Sequence, residues 1–97
     1  MTERKPRHTK VDKQIIASQG DIVLESAVGY PRGESNLYCI SSSDQIVWFA
    51  ELPEPGIHYI RMRLDDQTEK LVTYSTRGHA CELDLKTGKL LNKLLMQ

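Results

Sequence analysis

Apolar and polar positions alternate along most of this chain with a period of two, and helical spacing is absent apart from its Leu-rich end. In His58–Leu64, for example, Arg61 and Arg63 alternate with apolar neighbours. Successive side chains of a strand point to opposite faces of its sheet, so this alternation indicates a strand with one solvent-facing side. The same pattern, with turn residues between the runs, predicts eight short strands: Gln14–Ser18, Ile22–Val28, Asn36–Ser41, Gln45–Leu52, His58–Leu64, Lys70–Tyr74, His79–Asp84 and Lys89–Met96.

The strongest break in the pattern is Pro53-Glu54-Pro55-Gly56, which separates four predicted strands from four. Proline lacks the N–H that a strand donates, and glycine permits a sharp reversal. The sequence therefore predicts an all-β fold of antiparallel sheets, with two four-stranded units at about residues 14–52 and 57–97. A short helix is the alternative for Lys89–Met96, because Leu, Lys and Met are good helix formers.

The N-terminal segment, residues 1–13, has a different composition. Thr2–Lys13 holds five basic and two acidic residues, and Val11 is its only aliphatic side chain. A charged segment without apolar periodicity buries too little surface to offset the entropy of ordering it. We therefore predict a disordered basic arm over residues 1–13, followed by a single domain over residues 14–97.

A strand–turn–strand motif occurs twice, as Leu37–Trp48 and as Ala80–Leu91. Superposing Ile40 on Leu83 brings Trp48 onto Leu91, an offset of 43 residues. Four-stranded propeller blades repeat at about 40–45 residues, so the spacing is typical of that architecture.

The second copy, with Leu83-Asp84, the turn Thr87-Gly88 and the aliphatic pair Leu90-Leu91, resembles the end of a blade in quinoprotein-like and WD-type β-propellers. The first copy is similar, with Ser41 in place of the aspartate and Gln45 in place of the glycine. The resemblance implies two blade-like units, with Trp48 as a wedge between adjacent sheets. Quinone sites in such propellers use side chains from many blades, and no matching set occurs here, so no cofactor is expected.

Two such units cannot close a ring, and their sheet edges and faces would stay exposed. Identical chains around a symmetry axis would supply the missing units, so we expect a homo-oligomer. A compact monomeric sandwich is the alternative.

The loops that precede the two hairpins share a tyrosine followed by Arg-Gly. Tyrosine offers a flat apolar surface and a hydroxyl, and arginine a fixed fork of donors, which together suit a carboxylate or a sugar. The candidate ligand-binding residues are these two pairs and one nearby histidine: Tyr30, Arg32, Tyr74, Arg77 and His79. The alternative is that the tyrosines pack in the core and the arginines are solvated turn residues.

The chain lacks the spacings of zinc sites, phosphate loops and nucleophile elbows. We therefore predict no catalytic residue and no metal site. The predicted function is a non-catalytic binding or self-assembly module with a protein or a small polar ligand as its partner. The alternative function is a small enzyme whose site forms at a subunit interface from Tyr74, Arg77, His79 or Glu82.

Charge and hydropathy bear on the location and the remaining partners. The body that follows the basic arm carries a net negative charge, so we expect no nucleic-acid partner. No apolar run approaches the ~20 residues of a membrane helix. We expect a cytoplasmic protein, in which Cys39 and Cys81 are reduced and buried within strands.

Overall fold

The computed structural model describes residues 6–65 and 67–95, and this part of the chain is all-β. Its eight strands are β1 (Val11–Ala17), β2 (Gly20–Glu25), β3 (Leu37–Ile40), β4 (Ile46–Phe49), β5 (Tyr59–Asp65), β6 (Lys70–Ser75), β7 (His79–Asp84) and β8 (Leu90–Leu95). The first sheet has the order β1-β2-β3-β4 and the second β5-β6-β7-β8, with every neighbouring pair antiparallel. The predicted fold class is confirmed.

The two sheets pack face to face around one apolar core. Burial alternates along β6 and β7, as expected for strands with one covered face. The core contains side chains from both sheets, mainly Ile22, Leu24, Leu37, Cys39 and Trp48 from the first and Tyr59, Met62, Leu71, Cys81 and Leu83 from the second. We call the face of each sheet that contributes to this core its inward face, and the opposite one its outward face.

Trp48 lies in the core between the two sheets. Its side chain is buried, and the indole Nε1 donates a hydrogen bond of 2.9 Å to the carbonyl of Leu85. Because Trp48 belongs to β4 and Leu85 follows β7, this contact joins the two sheets. Buried indole N–H groups normally find such a partner.

The first strand begins earlier than the alternation indicates. The boundary predicted at Gln14 falls inside β1, which starts at Val11. Residues 1–5 of the predicted arm lie outside the described residues. Residues 7–9 lie against the first sheet, through contacts with the side chain of Glu25. Sequence periodicity could not show these contacts, because they use backbone N–H groups rather than apolar side chains.

Strands β2 and β4 are shorter than predicted, because their ends take other backbone partners. After Glu25 the N–H of Ser26 donates to Lys10, and Val28 lies beyond the strand, 85% exposed. After Phe49 the N–H of Glu51 donates to the carbonyl of Gly88, so the chain leaves the first sheet and crosses to the second.

The two hairpins differ by one residue in their turns. Cys39 pairs with Trp48, whereas Glu82 pairs with Asn92, so Asn92 rather than Leu91 occupies the position of Trp48. The left-handed turn residue is Asp44 in the first hairpin (φ 63°) and Gly88 in the second (φ 73°). Asp44 rather than Gln45 therefore stands in place of the glycine. Asparagine and aspartate tolerate this conformation better than most residues, which explains the exchange.

The last described segment, Leu90–Leu95, is a strand, so tertiary pairing with β7 outweighs its helix propensity. Cys39 and Cys81 are both buried free thiols, and burial raises the pKa of each. Within the described ranges there is no helix of the length and apolar character that crossing a bilayer requires.

Candidate functional site: an acidic groove

A groove of about 670 Å³ lies beside the first sheet, between three segments of the chain. They are Arg7 of the N-terminal segment, the β2–β3 loop at Gly33–Ser35, and the stretch from Phe49 to Pro55 that connects the sheets. Ligand pockets in proteins have volumes of roughly 300–1,000 Å³. The groove is therefore large enough for a small molecule or a few residues of a peptide.

The connecting stretch forms the apolar floor through Phe49, Leu52 and Pro53. It is held at two points, because Tyr59 donates its hydroxyl hydrogen to the carbonyl of Glu51 (2.6 Å) and Lys93 donates to the carbonyl of Pro53 (2.9 Å). Beyond Phe49, the last residue of β4, Pro53 and Pro55 keep the stretch out of either sheet, since each lacks a donor. The floor is therefore a fixed surface even though it lies between strands.

The guanidinium of Arg7 lies over the aromatic part of the groove. Its central carbon is 4.9 Å from the centre of the Phe49 ring and 5.9 Å from that of Tyr38. A cation over an aromatic face is stabilised by about 0.5–1 kcal/mol at an exposed site. Phe49 is 43% exposed, and the guanidinium of Arg7 lies over one face of its ring.

Three carboxylates surround the same groove: Glu34, Glu51 and Glu54. Arg7 Nη2 approaches Glu34 Oε1 at 3.4 Å. Among the described residues that line the groove, Arg7 is the one guanidinium beside three carboxylates. A cleft lined mainly by one sign of charge concentrates its field and attracts ligands of the opposite sign. The groove is suited to a cation.

Internal contacts fix the positions of these carboxylates. Glu51 Oε1 accepts a hydrogen bond of 2.9 Å from the backbone N–H of Leu90, and Glu54 Oε2 lies 3.5 Å from His79 Nε2. Glu34 Oε1 also lies 3.0 Å from His8 Nε2. Hydrogen bonding to His8, with a smaller contribution from Arg7, lowers the pKa of Glu34 and favours its ionised form.

A buried carboxylate positions Arg7 at the groove. Glu25 accepts hydrogen bonds from the backbone N–H groups of Arg7 (2.7 Å), His8 (3.0 Å) and Thr9 (3.0 Å), and from the hydroxyl of Tyr38. Burial by itself opposes ionisation of Glu25, but these donors outweigh it and lower the pKa. The N-terminal segment is therefore anchored by charge-assisted hydrogen bonds.

Tyr30 and Arg32, of the first predicted pair, lie in different surroundings. Tyr30 is buried and packs edge-on against His8 and His58, with ring centres 5.0 and 5.5 Å away. Burial raises the pKa of the Tyr30 hydroxyl. Arg32 is exposed and lies beside Gly56.

The second predicted pair is likewise separated, and only His79 contacts a carboxylate of the groove. Tyr74 lies on the outward face of the second sheet, paired with Arg61 and Ala80, and Arg77 is exposed in the following turn. His79 is buried and reaches Glu54. The ring of His58 lies 3.0 Å from the carbonyls of Pro31 and Glu34 in the first predicted loop, and the carbonyl of His58 accepts from the N–H of Thr76 in the second. The five predicted side chains nevertheless do not converge on one site.

The contact between Ser75 and His79 has the appearance of a nucleophile and its base, with Ser75 Oγ 2.9 Å from His79 Nδ1. However, Ser75 is buried, and its hydroxyl oxygen accepts hydrogen bonds from the N–H groups of Arg77 and His79. This arrangement is a turn stabilised by a serine side chain. Glu82, from the predicted interface site, lies 3.7 Å from Lys70 on the outward face.

Sequence patterns did not identify the groove residues, since Arg7, Glu34, Phe49, Glu51 and Glu54 come from three separate segments and form no motif. The sequence feature that could have indicated the groove is an aromatic residue, Phe49, followed directly by an acidic stretch with two prolines. Comparisons of the chain with protein-family models, with curated proteins and with solved structures found no match in any of the three.

Proposed function

We propose that this protein is a non-catalytic binding module whose acidic groove takes a basic peptide segment of a partner protein. The observation that carries the proposal is the position of Arg7, whose guanidinium lies over Phe49 and beside Glu34. The position of this arginine supports a basic ligand, and the carboxylates of Glu51 and Glu54 line the same groove.

A peptide suits the groove better than a small polar cation does. The floor of Phe49, Leu52 and Pro53 offers apolar contact area, whereas a small hydrated cation would need only the carboxylates. Arginine and lysine side chains combine an apolar stem with a charged end, so they can cover such a floor and still reach the rim.

The direct test is the binding of a fluorescein-labelled hexa-arginine peptide to the wild-type protein, followed by fluorescence anisotropy at fixed salt. We expect saturable binding that weakens as salt is raised, because exposed charges are screened. A glutamate peptide of equal length should show no binding. Absence of saturable binding by hexa-arginine would contradict the proposal.

A charge-matched pair of variants separates the groove from net charge. Substituting Glu34→Gln, Glu51→Gln and Glu54→Gln together should weaken hexa-arginine binding by at least about tenfold, or ~1.4 kcal/mol. Each glutamine keeps an oxygen that can accept the internal hydrogen bonds. The control variant, Asp12→Asn with Glu69→Gln and Glu82→Gln, changes the net charge equally and should leave binding within about twofold. Equal losses in both would show non-specific attraction only.

A second pair tests whether the peptide takes the place of Arg7. Arg7→Ala exposes the Phe49 ring, so the peptide should bind more tightly than to wild type. Arg77→Ala removes the same charge from an exposed turn residue that does not line the groove and serves as the control. Equal strengthening in both variants would mean that the arginine peptide does not use the Phe49 face.

A further inference from the structure

The two sheets stack in the same orientation, so that their structurally equivalent faces point in one direction. When Ile40 is taken as equivalent to Leu83, the registers of the first three strands of each sheet agree position for position. The inward residues Ile22 and Leu24 then correspond to Val72 and Tyr74, which lie on the outward face of the second sheet. The outward face of the second sheet is therefore equivalent to the inward face of the first sheet, which is buried in the core.

The outward face of the first sheet is likewise the counterpart of a buried face. Gln14 and Ile16 correspond to Met62 and Leu64 of the second sheet, which face or border the core. Ile16 is 82% exposed. The molecule thus exposes the outward face of the second sheet and, on the first sheet, the outward side of β1, whereas Val23 and Tyr38 on β2 and β3 are covered. These exposed surfaces are equivalent to parts of the internal sheet–sheet contact.

The outward face of the second sheet carries acidic residues as well, with Glu82 3.7 Å from Lys70, but near the first strands the exposed charges of the two faces differ in sign. Arg61 and Arg63 lie exposed on the outward face of the second sheet, opposite Tyr74 and Val72. On the first sheet, Asp21 lies opposite Ile16 on the outward face, and Asp12 is exposed in the bulge of β1. Both pairs are on or beside the first strand of their sheet, which is where the internal stacking brings β1 and β5 into contact.

The internal contact shows how the faces would meet. Lys13, on the inward side of β1, donates a hydrogen bond of 2.9 Å to the carbonyl of Met62 on β5. The equivalent pair across two molecules is Arg61 of one copy and Gln14 of the next. Arg61 and Arg63 would then lie next to Asp12 and Asp21 of the neighbouring copy.

We infer that the protein associates with a second copy of itself head to tail, the outward face of the second sheet packing on the outward face of the first. The contact is heterologous, because it joins two different surfaces, and it repeats from copy to copy until a ring closes. The acidic groove is not required for it, since the contact equivalent to the internal one is formed mainly by β5 and β6 of one copy and β1 of the next.

The test is the mass of the protein in solution by light scattering, with variants that reverse the charge of one face at a time. Wild type should be larger than a monomer. Both Arg61→Glu with Arg63→Glu, and Asp12→Lys with Asp21→Lys, should weaken association at least tenfold, since each places like charges opposite one another. The control Lys86→Glu with Lys89→Glu, in the exposed β7–β8 turn, should associate as wild type does.

Mixing the two face variants gives the decisive result. In a mixture each reversed face meets a partner of opposite charge, so association should return although neither variant associates alone. Circular dichroism and thermal unfolding establish that each variant is folded. A monomeric wild type, or a mixture that stays monomeric, would overturn the inference. So would face variants that associate like wild type, which would point instead to the exposed leucines of β8.

Discussion

At the scale of single residues, Glu25 shows how one carboxylate holds a segment that has no apolar anchor. In the sequence it belongs to the less apolar side of a predicted strand. In the fold it is completely buried and accepts hydrogen bonds from three consecutive backbone N–H groups and from Tyr38. Such an arrangement stabilises the ionised form, so the stability of the fold is linked to pH.

We predict that the Glu25 contribution to the free energy of unfolding is fully present above the ordinary glutamate pKa of 4.5 and is lost as pH falls through its lowered folded-state value. The sign follows because the unfolded chain binds the proton more readily than the folded protein. Urea unfolding of wild type and Glu25→Gln, measured from neutral to acidic pH, checks this. The variant should be less stable at neutral pH by about 1–3 kcal/mol, with the difference narrowing in acid.

The exposed Glu69→Gln is the control and should track wild type at every pH. A Glu25→Gln deficit that stays constant from neutral to acidic pH would show that the charge of Glu25 is not what anchors residues 7–9.

At the scale of elements, the turn of the second hairpin determines where the Trp48 ring can lie. Gly88 has a φ of 73°, and a side chain there would overlap the Trp48 ring and approach the Phe49 carbonyl at 3.1 Å. Gly29 has a similar φ of 82°, but open space surrounds it. Alanine substitutions at the two glycines therefore separate the free-energy cost of the left-handed backbone conformation from the cost of crowding against Trp48.

We predict that Gly29→Ala destabilises the protein by about 1–2 kcal/mol, from the left-handed conformation alone. Gly88→Ala should cost a further ~1–3 kcal/mol, because the ring of Trp48 must move within a packed core. Denaturant midpoints and the fluorescence maximum of this single tryptophan provide the measurement. Equal destabilisation, with an unchanged emission maximum in both, would mean that the turn does not press on Trp48.

At the scale of the whole molecule, Asn36 joins the two sheets. Its amide group donates to the carbonyls of Glu25 and Tyr59 (2.7 Å each), and its carbonyl oxygen accepts from the N–H of Tyr59 (3.0 Å). The side chain is fully buried. It therefore satisfies backbone groups on strands of both sheets at the point where the chain enters the second one.

We predict that Asn36→Ala lowers the free energy of unfolding by about 2–5 kcal/mol, since it leaves several buried backbone groups unpaired. Unfolding should remain a single transition, because the sheets share one core. Gln14→Ala removes an exposed amide that bonds to Asp21, and it should change stability by less than about 0.5 kcal/mol. Two separate transitions in wild type would show instead that the sheets fold independently.

The sequence by itself determined the eight strands and the division between two sets of four. This succeeded because the side-chain period of a strand is a local property, and proline and glycine interrupt it locally. His79–Asp84 was predicted with the bounds that the structure shows. The burial of Cys39 and Cys81 followed for the same reason, since each lies on the covered side of an alternating run.

Only the tertiary structure decided which faces meet and which residues form the groove. Arg7, Glu34 and Glu54 are far apart in the chain, and no local sequence pattern indicates that Glu25 holds Arg7 in place. The one-residue difference between the hairpin turns also escaped the sequence comparison, because backbone pairing rather than residue similarity sets the register. Contacts of this kind depend on how the two sheets stack, and that packing is a property of the folded chain as a whole.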